Sequence, residues 1–86
     1  MPPEIEVYTT EPCTFCTAAK NLLKKRGLEY TEHLVFGHTP EWDAMRERTG
    51  GKSAPQIIIN GEAIGGYPQL DALDKQGRLA ELAAEG

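Results

Sequence analysis

A strand pattern that runs directly into two cysteines at the opening of a helix constrains this chain more than any other feature. Ile5, Val7 and Thr9 alternate with Glu6 and Tyr8, the period of a half-buried strand. Pro12 breaks that pattern. From Phe15 onward the apolar residues Phe15, Ala18, Ala19, Leu22 and Leu23 fall on the stripe of an amphipathic helix. Lys24, Lys25 and Arg26 lie where cations complement the negative end of a helix dipole, and Gly27 is placed to stop the helix. Cys13 and Cys16 therefore sit just after the first strand, on the first turn of the first helix. Open α/β sheets place their chemistry at that end.

The rest of the chain extends the alternation. Leu28 to Val35 reads as a second strand whose phase is interrupted at Glu32. Thr39-Pro40 reads as a helix start, a capping side chain followed by a proline at the first helical position. That helix carries Trp42 and Met45 and ends near Gly50-Gly51. Ile57-Ile58-Ile59 is a buried strand, and Asn60-Gly61 is a strong hairpin signal leading to a partner strand, Glu62 to Ile64. Trp42, Met45 and the three isoleucines are assigned to the core. After Gly65-Gly66, Pro68 opens a third helix through Leu70 and Leu73 to Gly77, and a last helical stretch runs from Leu79 to Ala84. The predicted order is β-α-β-α-β-β-α-(α). A parallel, right-handed first crossover and an antiparallel hairpin give an α/β fold, a four-stranded mixed sheet with helices on both faces. Residues 1–86 read as a single domain, without repeat or linker.

Charge and hydropathy narrow the function. A net charge of −4 and a pI near 5.1 are wrong for a nucleic-acid partner, which requires a basic face. No stretch approaches the ~18 apolar residues of a membrane span. The first six residues have neither the basic start nor the apolar run of a secretion signal, so the expected location is the cytoplasm. In such a reducing compartment a close cysteine pair is more often catalytic or metal-binding than structural.

Helical residues three apart have Cβ atoms about 5–6 Å from one another, and a disulfide needs ~3.5–4.5 Å. A small adjustment closes the Cys13-Thr14-Phe15-Cys16 pair without refolding anything. Free N–H groups at the helix start favour an anion on Cys13. A thiol with pKa ≈ 8.5 is only about 3% ionised at neutral pH, whereas a pKa near 6 would ionise roughly 90%. Cys13 is expected to be the exposed attacker and Cys16 the shielded resolving thiol, as formation and release of a mixed disulfide require. Glu11 opposes the thiolate. The competing readings are two inert buried cysteines, or half a zinc site for which only His33 and His38 could complete the ligands.

Taken together, the chain resembles a glutaredoxin from Ile5 to Leu82. The resemblance is carried by Val7-Tyr8-Thr9 before the cysteines, Ala19-Lys20 with Leu22-Leu23 and Gly27, Ala54-Pro55-Gln56-Ile57, Ile64-Gly65-Gly66, and Leu70 with Leu73. It implies the thioredoxin fold with a cis-proline at Pro55, the Ala54 backbone turned toward the cysteines, and Gly65, Gly66 and Tyr67 as the far wall of a groove. It further implies a monomeric disulfide reductase and deglutathionylating enzyme of redox homeostasis. That enzyme has no permanently bound cofactor, takes glutathione as reducing co-substrate, and acts on disulfide-bearing proteins, ribonucleotide reductase among them. The chain departs from the family at several positions. Thr14-Phe15 replaces Pro-Tyr, Thr10 replaces a lysine that would meet a glutathione carboxylate, and Tyr67-Pro68-Gln69 replaces Cys-Asp-Asp. Lys52, or Arg46 and Arg48, are candidates for the missing cation, and the N–H groups of Gln69 and Leu70 still offer an anion-friendly helix start. Each lost charge-assisted hydrogen bond costs ~1.5–3 kcal/mol, so two losses weaken glutathione binding roughly a hundredfold or more. Two alternatives follow from the same resemblance. One is a redoxin reduced by thioredoxin reductase and serving ribonucleotide reductase, although its Trp-Ser-Gly-Phe type segment is absent. The other is an iron–sulfur cluster carrier, with Thr14 loosening the site where the family has proline.

Overall fold

The computed structural model describes residues 3–85. Its elements run β1 (Ile5–Thr9), α1 (Thr14–Lys25), β2 (Thr31–Leu34), α2 (Pro40–Thr49), β3 (Gln56–Ile59), β4 (Glu62–Gly65), α3 (Tyr67–Lys75) and α4 (Arg78–Glu85). The sheet order is β2-β1-β3-β4. β1 and β2 are parallel, and the pairs β1–β3 and β3–β4 are antiparallel, the last with a register shift between Ile57 and Ile58.

The alternation in β1 decides which face is dry. Ile5, Val7 and Thr9 point into one side and are buried, while Glu6 and Tyr8 point to the other and are half-buried. The dry side joins Ile5, Val7, Ile57 and Ile59 to Ala19 and Leu23 of α1, Leu70 of α3 and Leu79 of α4. Leu23, Ile57 and Leu70 have no exposed surface, so truncating any one to alanine costs about 2–5 kcal/mol. α2 packs against β3 and β4. Met45 and Ile58 are buried outside the main cluster.

The ends of the elements follow their local chemistry. Thr39 caps α2 by accepting the Trp42 N–H at 3.2 Å, Pro40 occupies the first turn, and Gly50 closes the helix in the left-handed region at φ 74°. Asn60 (φ 51°) and Gly61 (φ 84°) form the tight turn between β3 and β4. Asn60 is also tied to Glu4 by two hydrogen bonds, of 2.7 and 2.9 Å, anchoring the hairpin to the start of β1.

Three expectations need correction. The second strand is only Thr31–Leu34, with Leu28 and Val35 as buried flanks rather than strand residues. Glu32 marks the interruption because its carboxylate is held by Thr9 Oγ1 at 2.7 Å and Lys20 Nζ at 3.1 Å, which ties β2 to β1 and α1. Trp42 is half-buried and outside the core; within α2 only Met45 is fully enclosed. Finally, Arg26 does more than complement a dipole. It forks onto Asp74 with hydrogen bonds of 2.6 and 2.9 Å and pins the end of α1 to α3, holding the Asp74 carboxyl below its ordinary range.

Candidate active site

Residues 10–12 lead from β1 to Cys13, and the Glu11–Pro12 peptide is cis, which the sequence did not announce. Cys13 is the N-cap of α1. Its Sγ accepts the Cys16 N–H at 3.1 Å, a sulfur where a serine or aspartate oxygen usually stands, and its carbonyl accepts the Thr17 N–H at 3.3 Å. Cys13 is half-exposed, whereas Cys16, one turn in, is 2% exposed. The two are joined as a disulfide with Cα atoms 5.3 Å apart, so the structure shows the oxidised state. On reduction, the same Cys16 N–H faces a thiolate.

The Ala54–Pro55 peptide is cis and stands across from Cys13, with the Ala54 carbonyl oxygen 3.9 Å from Cys13 Sγ. The oxidised sulfur carries no proton and so donates nothing to that oxygen; a reduced thiol could. Gly66, the N-cap of α3, completes the enclosure. A Cβ there would lie 3.1 Å from the Pro55 carbonyl, so glycine permits the start of α3 to approach the cis-proline loop closely. Phe15, which opens the apolar stripe and is also the candidate aromatic surface for glutathione, lies outside the core and is 61% exposed. Its ring stacks on Tyr67, the first residue of α3, with centroids 6.0 Å apart. These contacts bring together Cys13, Phe15, Ala54, Pro55, Gly66 and Tyr67, the lining of a candidate groove.

The candidate cations divide. Arg48 is committed elsewhere: it forks onto Glu6 at 2.6 and 3.0 Å and touches the Tyr8 hydroxyl at 3.0 Å, on the face of β1 away from the main core. That fork, with a smaller contribution from His33 at 3.0 Å, holds the Glu6 carboxyl down at about 2. Arg48 is therefore withdrawn as a partner for a glutathione carboxylate. Lys52 is exposed on the loop before β3, two residues from Ala54, and shares a shallow hollow of about 350 Å³ with Arg46. A larger hollow of about 860 Å³ lies toward the start of β1, lined by Glu4, Tyr30 and Leu82 among others, and includes none of the groove residues. Thr10 is half-exposed and uncharged, and Pro68 is exposed on the first turn of α3, where it has no N–H to offer. The Gln69 side-chain oxygen accepts the Gly66 N–H at 2.9 Å.

Sequence reasoning missed two residues beside the groove. Gln56 is only 6% exposed, and its amide donates to the Ser53 carbonyl at 2.6 Å. Gly51 lies against that amide. The one visible signal was a polar residue at the head of an otherwise apolar strand. Among the described residues, no three of His, Cys, Asp and Glu gather where they could hold a metal ion.

Known proteins share this arrangement. The glutaredoxin family model matches residues 5–64. A probable glutaredoxin of Synechocystis is 42% identical over 80 residues, covering 92% of this chain and 91% of that protein. Glutaredoxin 3 of Escherichia coli K12 is 38% identical over 78 residues, covering 91% and 94%. The solution structure of a Brucella melitensis glutaredoxin superposes with a TM-score of 0.77 at 37% identity, covering 93% of this chain and 87% of that one. With the family's fold, its Cys-x-x-Cys and relatives matched nearly end to end, this chain belongs to the glutaredoxins, a family of thiol–disulfide oxidoreductases.

Proposed function

We propose that this chain is a glutathione-linked thiol–disulfide oxidoreductase in which Cys13 is the nucleophile and Cys16 the resolving thiol. One observation carries the assignment: Cys13 caps α1, lies 3.9 Å from the Ala54 carbonyl oxygen and receives the Cys16 N–H at 3.1 Å, while Cys16 is 2% exposed.

The exchange balances as follows. The Cys13 thiolate attacks one sulfur of a substrate disulfide; a Cys13–substrate S–S bond forms as the original S–S bond breaks, and the departing thiolate takes a proton from solvent. With a protein disulfide, Cys16 then loses its proton and attacks the Cys13 sulfur, expelling the second substrate thiolate and closing the Cys13–Cys16 bond present here. Two electrons have passed to the substrate. One glutathione thiolate reopens that bond as a Cys13–glutathione mixed disulfide. A second attacks the glutathione sulfur, releasing oxidised glutathione and the Cys13 thiolate. With a glutathionylated substrate, Cys13 alone completes the cycle. The Ala54 main chain pairs with the extended backbone of the substrate, Phe15 and Tyr67 flank it, Gly66 opens the helix start, and Lys52 meets a carboxylate. Residues 1–86 act as one monomeric domain in a reducing cytoplasm. The targets are glutathionylated and disulfide-bearing proteins, ribonucleotide reductase among them.

The test pairs two variants with two electron sources. Cys13→Ser is expected to abolish all disulfide reduction, and Cys16→Ser to retain turnover of glutathionylated peptide driven by glutathione and glutathione reductase. A dead Cys16→Ser beside an active Cys13→Ser would reverse the roles. Turnover by thioredoxin reductase but not by glutathione would overturn the glutathione linkage.

A further inference from the structure

The loop between α2 and β3 carries Ala54 to Cys13, yet its own backbone is sparsely held. Among the described residues, 51–54 make no backbone–backbone hydrogen bond. Two side chains do the holding. Thr49 Oγ1 accepts the Gly51 N–H at 3.1 Å, and the buried Gln56 amide donates to the Ser53 carbonyl at 2.6 Å.

The second bond has a geometric consequence. The Ser53–Ala54 peptide is trans, so the Ser53 C=O and the Ala54 N–H lie in one rigid plane and point in opposite directions. A carbonyl drawn inward to Gln56 sends the Ala54 N–H outward. That N–H has no acceptor among the described residues, and the Ala54 carbonyl oxygen lies 3.9 Å from Cys13 Sγ. We propose that Gln56 is a positioning residue for disulfide exchange: its buried amide fixes the Ser53–Ala54 peptide plane and thereby aims the Ala54 N–H at the substrate backbone. This rests on the reading of Ala54 as the main-chain partner of the substrate.

Gly51 is the receptacle for the amide. An added Cβ there would overlap the Gln56 side-chain amide. Gly51 is not among the positive-φ glycines, so alanine suits its backbone, and the three atoms nearest its added Cβ all belong to that amide. Gly51→Ala therefore displaces Gln56 from Ser53, and Gln56→Met removes the donor while keeping length and apolar burial. Two substitutions that break one bond must give one phenotype.

The experiment measures kcat and KM for a glutathionylated peptide in wild type, Gln56→Met, Gly51→Ala and the double variant, with thermal midpoints and the rate of Cys13 alkylation by iodoacetamide. Each single variant is expected to raise KM roughly three- to tenfold, the range for one lost hydrogen bond, with kcat within about twofold. The double variant should be no worse than the poorer single. Independent effects would instead multiply to roughly ten- to a hundredfold. Alkylation should stay within about twofold of wild type, because a small reagent needs no main-chain partner. An unmoved KM in Gln56→Met, a multiplicative double variant, or KM, kcat and alkylation all failing together would overturn the assignment. A wild-type chain without exchange activity would sink the functional reading instead, whereas an active wild type with an unmoved KM sinks only the role of Gln56.

Discussion

On the proposed glutathione linkage, and by what the family resemblance implies, Thr10 and Pro68 are where single side chains would set how firmly the groove holds glutathione. A lysine at the first would meet a carboxylate, and an aspartate at the second would meet the γ-glutamyl ammonium and supply an N–H. This chain has an uncharged hydroxyl at one and an imino acid at the other. The neighbouring Gln69 does not compensate, because its amide is uncharged and its side-chain oxygen already accepts the Gly66 N–H. Pro68→Asp is expected to lower KM for glutathione roughly tenfold, and Thr10→Lys by a similar factor, each restoring one charge-assisted hydrogen bond. The two positions serve opposite ends of the tripeptide, so the gains should multiply in the double variant. Saturation kinetics on the three variants checks this. If neither helps, other residues have replaced the missing contacts, and Lys52→Ala, which removes the candidate for the missing cation, should then raise KM. The capping of α1 gives a second residue-scale expectation. Alkylation of reduced Cys13 should persist well below the pH at which a free thiol of pKa ≈ 8.5 stops reacting, and a pH profile at the free-thiol value would overturn it. The placement of Cys13 and Cys16 was legible from residue type and spacing, and that of Pro55 and Gly66 from the resemblance to a glutaredoxin. Gln56 and Arg48 were not, since neither periodicity nor motif reveals where one long polar side chain folds back.

Between elements, the joints are ion pairs that no local pattern announces. Arg48 of α2 grips Glu6 of β1, and Arg26 closes α1 onto Asp74 of α3. The Glu6 carboxyl is held at about 2 against an ordinary 4.5, chiefly by the Arg48 fork and then by His33. The Arg48 side chain is 44% exposed and solvent screens the pair, so the fork contributes about 1 kcal/mol. The sign follows from the depression: the stabilisation is complete above pH 4.5 and is lost as pH falls through about 2. Glu6→Gln should therefore lower the stability measured by urea unfolding by about 1 kcal/mol at pH 7, with the gap to wild type closing between pH 4.5 and 2. A gap that stays constant with pH would mean that packing, not charge, is lost. The helices themselves were legible from caps and stripes: Thr39-Pro40 and Gly50 bound α2 as expected. β2 was read too long because Leu28 and Val35 are as buried as strand residues, and burial alone does not distinguish a strand from its flanks.

Across the whole molecule, one core joins β1, β3, α1, α3 and α4, so residues 1–86 should unfold in a single transition by fluorescence and by circular dichroism. Charge acts at the same scale. The chain carries −4, and glutathione, with two carboxylates and one ammonium, is itself an anion. The radius of gyration is 12.3 Å, while the screening length is about 30 Å at 0.01 M salt and about 8 Å at 0.15 M. In dilute buffer a substrate therefore feels the whole molecule, and at physiological salt only the groups lining the groove. This gives opposite signs for substrates of opposite charge. With an acidic glutathionylated peptide, kcat/KM should rise a few-fold from 0.01 to 0.15 M salt as repulsion is screened; with a basic one it should fall by a similar factor. The reversed pattern, a fall for the acidic peptide and a rise for the basic one, would show that Lys52 and Arg46 govern the approach even at long range. Under that outcome Lys52→Ala should flatten the salt dependence. If the signs are as expected and Lys52→Ala leaves the slopes unchanged, the steering comes from the net charge, and basic segments around a target disulfide are what this fold draws in.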